Sequence, residues 1–425
     1  MGLDPASVAA VDGSRRDASD AGWGGSVLPL AHGYAFAEIP PTVERLLAGG
    51  DGGLPAAALG NAPDRVERVV LVFLDAFGWR FFTRHADGHP LLRRFLEHGA
   101  VAKLTTQFPS TTAAHVTTMH TGRRVAEHGM YEWNMYDPSV GTLVTPLMFS
   151  FAGDGERDTL RAANADPRAM YPTATLYRRL ADRGVRCVAC HPASFAPSTY
   201  DGVLLDGAAL HPYETLDDAF ATVAAGLRAG GPTYAYVYID TVDATGHQFG
   251  PTSPEFDAEV TRCLDAIDAA TRALPAGTLV LLAADHGQID VDPARTRFVN
   301  ELWPGIDAHL RRDPRGRPLA PAGSARDLFL HTAPGSQAHV MDRLRTLLGA
   351  DAEVHATADL VAEGLFAGDP GPRLQARIGD VCVLPAPGET VWWRERGRFG
   401  MRFLGHHGGL TPEEAHTLVA SLVVG

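Results

Sequence analysis

The sequence predicts an α/β fold, a mostly parallel central sheet with helices on both faces. Two observations carry that reading. Between about residue 65 and residue 284, apolar runs of strand length alternate with longer amphipathic stretches, and several of the runs are apolar at every position, as strands covered on both faces are. A third observation concerns chemistry. The run VVLVFL ends in Asp75, TYAYVYI in Asp240 with Asp243 and His247 beyond it, and TLVLLAA in Asp285 with His286 beside it. In an open α/β sheet the carboxyl ends of the strands face the ligand crevice, so acids and imidazoles from distant segments can converge there, as metal ligands do.

The elements follow in order. Residues 1–25 are polar, small and weakly patterned, and read as a flexible arm ahead of one core domain over 26–425. A strand at 68–74 precedes a helix around 90–98 and a strand near 100–105, and FPSTTAAHVTTMHTG reads as a loop entering a helix that stops at Gly122. Helix and strand then alternate as 173–183 with 185–190, 214–228 with 233–239, and 254–273 with 278–284. The helix from Pro254 carries Phe256, Val260, Leu264 and Ile267 at helical spacing. Segments 125–169 and 291–377 break the alternation and read as cap insertions over the strand ends. A strand pair near 380–404 leads to HHGG, and TPEEAHTLVASL opens as a helix with Thr411, Pro412 and Glu414 in a capping box.

Composition narrows the function. The formal charge of −13, from 37 basic and 50 acidic residues, opposes a general nucleic-acid-binding surface. Lys103 is the only lysine, so a cation holding phosphate would be an arginine such as Arg80 or Arg123, or a bound metal. Four cysteines make no disulfide framework, and Cys187 and Cys190 lie in what reads as a buried strand. No apolar run suggests a secretion signal or a membrane span, so the cytoplasm is the expected compartment and no membrane partner is expected.

The ligand candidates gain weight together. Asp243 and His247 stand one helical turn apart, Asp285 and His286 leave a strand before Gly287, and His407 lies in GHHGG. Mixed Asp oxygen and His nitrogen suit zinc, and manganese and iron accept similar ligands. Two such ions could clamp the attacking and leaving oxygens of a phosphoryl transfer. Thr112 sits where its loop enters a helix, near unpaired N–H groups and the positive end of the helix dipole. Activated by a divalent cation, Thr112 serves there as a nucleophile; the alternative is that Ser110, Thr111 or Thr112 caps the helix.

Five stretches, VFLDAFG, FPSTTAAHVTTMHTG with EHG, YIDTVDATGHQFGP, ADHGQ and GHHGGLTPEE, resemble the alkaline phosphatase superfamily, and within it the type I phosphodiesterase/nucleotide pyrophosphatase family. The resemblance covers most of the chain from about residue 66. It implies an alkaline-phosphatase-like fold and two divalent ions, one held by Asp243, His247 and His407, the other by Asp75, Asp285 and His286 with the Thr112 hydroxyl. The spacing from Pro109 to Thr121 matches the family's loop when Thr112 is the nucleophile, and the family pattern places the ligand directly before the paired glycines, which selects His407 over His406. His115 stands where the family usually has an asparagine of the phosphoryl-oxygen pocket, and the resemblance gives it that substrate-binding role.

The implied activity is hydrolysis of a small phosphodiester or nucleotide through a phosphothreonine. The alternatives are a phosphomonoesterase, a phosphonate hydrolase, a phosphomutase or phosphotransferase, and an inactive metal-binding protein. The sulfatase motif C-x-P-x-R is absent. Tyr131, Trp133, Trp392 and Trp393 are candidates either to stack on a base or to pack.

Overall fold

A computed structural model describes residues 2–16 and 24–425. Strands β1 (Gly2–Leu3), β2 (Arg68–Leu74), β3 (Ala100–Thr105), β4 (Arg186–Pro192), β5 (Ala209–Tyr213), β6 (Thr233–Ile239), β7 (Leu279–Ala283) and β8 (His416–Val423) form one sheet in the order β1-β3-β8-β7-β2-β6-β4-β5. Every neighbouring pair is parallel except those made by β8, which runs antiparallel to both β3 and β7.

The unbroken apolar runs are explained by burial on both faces. Val69, Leu71 and Phe73 of β2 join the core on one side with helices Ile39–Ala48, Thr112–Thr121 and Leu176–Ala181. Val70, Val72 and Leu74 join the core on the other, with helices Pro90–His98, Leu216–Arg228 and Pro254–Arg272. The face Phe256, Val260, Leu264 and Ile267 is fully buried. Cys187 and Cys190 are free thiols that enter opposite cores, so they cannot pair.

Strands β7, β2 and β6 are neighbours, with Leu279 beside Val69 and Arg68 beside Thr233. Parallel neighbours lie about 4.8 Å apart. The three acid-bearing strand ends therefore emerge side by side.

Three expectations are corrected. The start of the chain is docked where it is described: β1 pairs with β3, Asp4 caps helix Pro5–Asp12 by accepting from Ala6 N at 3.0 Å, and Ser7 and Val11 are buried. Lys103 reinforces this, its ammonium paired with Asp12. The sheet edge supplies the partners that a polar sequence does not advertise. Residues 17–23 of the expected arm lie outside the described residues.

The expected helix from Thr411 is one turn, Pro412–Ala415, after which the chain becomes β8. Thr411 donates its hydroxyl to Glu414 at 2.7 Å instead of capping, and the β-branched Thr417 and Val419 that follow are buried between β3 and β7. The strand pair near 380–404 is also redistributed. Val381–Pro385 joins an antiparallel four-stranded sheet with Ala322–Gly323, Leu328–Leu330 and Ala352–Ala356, and Val391–Trp392 pairs with Arg297–Phe298.

Segment 125–169 carries a three-stranded sheet, Met135–Asp137, Thr142–Thr145 and Ser150–Phe151. A buried ion pair, Arg377 to Asp137 at 2.8 Å, ties it to the segment 291–377. Among the described residues no helix is long and apolar enough to cross a membrane.

Candidate metal centre and its cavity

The acids at the ends of β2 and β7 are brought together by a close backbone approach. A Cβ on Gly78 would stand 2.7 Å from the Gly287 Cα, so the two turns meet only with glycine at 78, and a Cβ on Gly287 would strike the Glu413 carbonyl. Ala76 takes a left-handed conformation, φ 62°, which costs a residue with a Cβ about 1–2 kcal/mol. Its N–H thereby reaches Asp285 Oδ1 at 3.0 Å.

The other carboxylate oxygens face one another. Asp75 gives one oxygen to the Tyr238 hydroxyl, and Asp75 Oδ1 and Asp285 Oδ2 are buried with no hydrogen-bond partner among the described residues. Asp285 Oδ2 lies 3.2 Å, and Asp75 Oδ1 3.6 Å, from His286 Nε2. Asp243 is 3.3 Å from His247 Nε2 through one oxygen and 3.7 Å from His407 Nε2 through the other. Two groups could hold a metal ion: Asp243, His247 and His407, and Asp75, Asp243 and His286. Asp243 belongs to both, and Asp285 adds its unpartnered oxygen beside the second.

The imidazoles are oriented as ligands require. Nδ1 of His247 donates to Gly405 O at 2.8 Å, that of His286 to Gly287 O at 3.0 Å, and that of His407 to Ser110 O at 3.0 Å. A carbonyl only accepts, so each Nδ1 carries a proton and each Nε2 is turned towards the centre, where the neutral ring offers its lone pair to an ion. His406 instead accepts the His407 N–H at 2.9 Å through Nδ1 and stands in neither ligand group.

The electrostatics are those of a cation site. Burial, and repulsion from Asp285 and Asp243, push the Asp75 carboxyl well above its ordinary range, and burial raises Asp285 to about 7. Burial holds His286 down at about 4 and His407 well below its ordinary value, so both stay neutral. Burial opposes ionisation of Asp243 as well, but the charge and hydrogen bond of His247 outweigh it and hold that carboxyl low. Converging buried carboxylates that repel one another are relieved by a cation. The donor set and the unpartnered oxygens fit divalent metal ions.

The loop before helix Thr112–Thr121 sorts its three hydroxyls. Ser110 donates to Gly409 O at 2.8 Å and Thr111 to Tyr131 O at 2.8 Å, whereas Thr112 Oγ1 lies 3.2 Å from His286 Nε2. Thr111 occupies the cap position without a side-chain capping bond.

His115 is a correction. It is fully buried, Nδ1 donates to Thr111 O at 2.7 Å, and Nε2 accepts from Gln107 N at 2.9 Å. Burial keeps it neutral, down to about 3. With both nitrogens spent inside the protein it braces the loop and does not reach the cavity.

That cavity, about 1290 Å³, opens over Thr112 and the metal candidates. Arg80 and Arg123 do not line it; Arg80 turns to Asp290 and Arg123 to Glu127, while Arg157, Arg398 and Arg402 reach the wall. Tyr131 packs in the core against Phe329 and Trp393 is buried, whereas Trp133, 47% exposed, and Trp392 face the cavity. Elsewhere in the wall, Glu132 meets Asp327. Burial raises Glu132 to about 7 and, with the Glu132 charge, pushes Asp327 well above its ordinary range.

Several supporting roles were not read from sequence, although Ser110 and Glu414 were noted there as capping residues. Gln288 donates to Asp243 Oδ1 at 2.6 Å, and Ser110 accepts the Gly408 N–H at 3.1 Å. Glu414 receives Arg326 at 2.9 Å and Gly409 N at 3.0 Å, bracing the GHHGG turn. The signal for Tyr238 was present: tyrosines 234, 236 and 238 alternate along a strand that ends in an acid.

A family model described as Type I phosphodiesterase / nucleotide pyrophosphatase matches residues 69–410. Among solved structures, an inactive threonine-to-alanine variant of murine ectonucleotide pyrophosphatase/phosphodiesterase 5 in complex with AMP superposes with a TM-score of 0.63 at 15% identity, over 84% of this chain and 88% of that one. The human protein of the same name gives 0.63, 15%, 84% and 88%. At such identity the likeness shows the fold, an alkaline-phosphatase-like sheet flanked by helices. No curated protein sequence matches the chain.

Proposed function

We propose that this chain, which belongs to the Type I phosphodiesterase / nucleotide pyrophosphatase family, is a two-metal phosphodiesterase with Thr112 as its nucleophile and a nucleotide-like diester as its substrate. The observation that carries this is the placement of the Thr112 hydroxyl 3.2 Å from His286 Nε2, beside the unpartnered oxygens of Asp75 and Asp285. Asp243, His247 and His407 would hold one ion, and Asp75, Asp285 and His286 with Thr112 the other, with zinc the best match to the mixed oxygen and nitrogen donors. Bound there, the ions supply positive charge that lowers the pKa of a hydroxyl and offsets charge developing on phosphoryl oxygens.

The chain's own residues do the rest. Thr112 attacks phosphorus in line, the leaving oxygen departs on the far side, and a phosphothreonine forms. Water then displaces Thr112 in a second in-line step, with net retention at phosphorus. In place of the asparagine whose position His115 occupies, the first-turn N–H groups of the helix that begins at Thr112 receive a phosphoryl oxygen. Support for a nucleotide-like substrate comes from the family and from the AMP bound by the murine relative.

The test is hydrolysis of paired chromogenic phosphomonoesters and phosphodiesters by metal-depleted protein with zinc, manganese or iron restored, followed by acid quench and mass analysis of the Thr112 peptide. Metal-dependent diester cleavage with one phosphoryl group on Thr112 is expected. A monoester preference would replace the reading with a phosphatase, and cleavage without that adduct in Thr112→Ala as in wild type would remove the covalent step.

A further inference from the structure

One face of the nucleophile's helix continues into the cavity. Thr112, Val116 and His120, spaced by four residues, all line it, and at its inner end His120 meets His191 and Tyr236, with ring centroids 5.7 and 5.2 Å away. All three side chains are at least 96% buried. His191 Nε2 and the Tyr236 hydroxyl have no hydrogen-bond partner among the described residues. Leaving such groups unmatched costs about 1–3 kcal/mol each, so two of them at the floor of one cavity point to a ligand.

The chemistry of that ligand can be read from the partners. His191 Nδ1 bonds Asp201 Oδ1 at 3.1 Å, and Asp201 is fixed by the Ser198 N–H at 2.9 Å. Although burial opposes it, the His191 bond holds Asp201 below its ordinary range, so Asp201 is a carboxylate that accepts. His191 Nδ1 then carries a proton, and Nε2 is the ring nitrogen left for a ligand. The Tyr236 phenol both donates and accepts. His120 is neutral, burial lowering it to about 3. Around them stand the rings of Phe195 and Tyr238, 6.3 and 5.8 Å from His191. Arg157 stays at the exposed rim over Phe195. The floor offers His191 Nε2 and the Tyr236 hydroxyl, and the Asp201 carboxylate behind His191 leaves it no net positive charge, so an anion carried there would lose hydration without compensation.

We infer that His191 and Tyr236 select the substrate by its retained ester group, and that this group ends in an uncharged hydroxyl or amide. The inference rests on the proposed Thr112 attack: in-line displacement sends the leaving group away from the Thr112 hydroxyl, whereas this floor lies along the helix of Thr112. Asp201 is a positioning residue that holds the His191 ring through Nδ1.

The test uses metal-loaded protein and three nitrophenyl phosphodiesters whose second ester group is pentyl, hydroxybutyl or carboxypropyl. The expected result is a kcat/KM for hydroxybutyl about tenfold above pentyl, with carboxypropyl the poorest. Tyr236→Phe and His191→Phe should bring that ratio towards one while pentyl turnover persists, and Asp201→Asn should reduce it. A general structural defect would lower all three substrates together. Unchanged ratios in both phenylalanine variants would overturn the inference, as would a wild type indifferent to the hydroxyl. Calorimetric binding of hydroxybutyl phosphate and pentyl phosphate separates the two readings. If no diester is cleaved but hydroxybutyl phosphate binds more tightly and loses that advantage in Tyr236→Phe, the subsite stands and the activity reading fails; no difference in binding overturns the subsite.

Discussion

Thr112 Oγ1 stands 3.2 Å from His286 Nε2, while the hydroxyls of Ser110 and Thr111 beside it are bound to backbone carbonyls. The division is specific enough to test by mutation. Thr112→Ala should lower diester hydrolysis at least about a thousandfold with metal content unchanged, because the loss falls on a chemical step. Thr111→Ala should cost stability of about 1 kcal/mol through its bond to Tyr131 O and leave most of the activity. Steady-state kinetics, metal analysis and thermal unfolding of the two variants distinguish these outcomes.

Metal removal should destabilise the protein. Asp75, in the cavity wall, and Asp285 behind it are buried with an oxygen each unpartnered, and both carboxyls are pushed up by their surroundings. Chelation should therefore lower Tm, and re-addition of zinc should restore it in proportion to the logarithm of free metal. Asp285→Asn should unfold at a higher temperature than wild type when both are metal-free, since one buried charge is gone, yet gain less from zinc. Scanning calorimetry with and without chelator measures both.

Glu132 and Asp327 predict a pH dependence of stability. The Glu132 carboxyl sits at about 7 in the folded protein against 4.5 ordinarily, so the native state holds the proton more tightly than the unfolded state. Stability should fall as pH rises from about 4.5 through about 7, in the direction linkage requires. In Glu132→Gln an amide takes the place of the shared proton and can donate to Asp327. That variant should match wild type near pH 5 and exceed it above pH 8, by on the order of 1 kcal/mol. Chemical unfolding across that range would refute the assignment if the two curves stayed parallel.

Glu414 links stability to the site. Inside the protein its carboxylate binds Arg326, the Thr411 hydroxyl and the N–H of Gly409, which stands two residues beyond His407 in the GHHGG turn. Glu414→Ala strands a buried guanidinium and should cost about 3–5 kcal/mol. Because the same change loosens the GHHGG turn, zinc affinity should fall as well. A variant that lost stability but kept wild-type zinc binding, read by competition with a chromophoric chelator, would show that the turn is held by other contacts.

Much of this was readable from the chain. Runs apolar at every position mark strands covered on both faces, and the acids that close VVLVFL, TYAYVYI and TLVLLAA mark the rim of the sheet, because both signals are local and periodic. The helix at Pro254 and the glycine stop at Gly122 were legible for the same reason.

Tertiary structure decided what depends on contacts between distant segments. TPEEAHTLVASL reads as a capped helix by itself and becomes a strand because the slot between β3 and β7 buries it on both faces. The first residues look loose until the sheet edge and Lys103 receive them. His115 occupies the motif position of a substrate ligand, but its nitrogens are spent on Thr111 O and Gln107 N. Asp243 falls between both metal groups, which no spacing along the chain could show. Local sequence determines which groups are present and which way a strand or helix turns them, whereas hydrogen-bond partners and burial, on which each group's charge and availability depend, are set by residues that meet only when the chain folds.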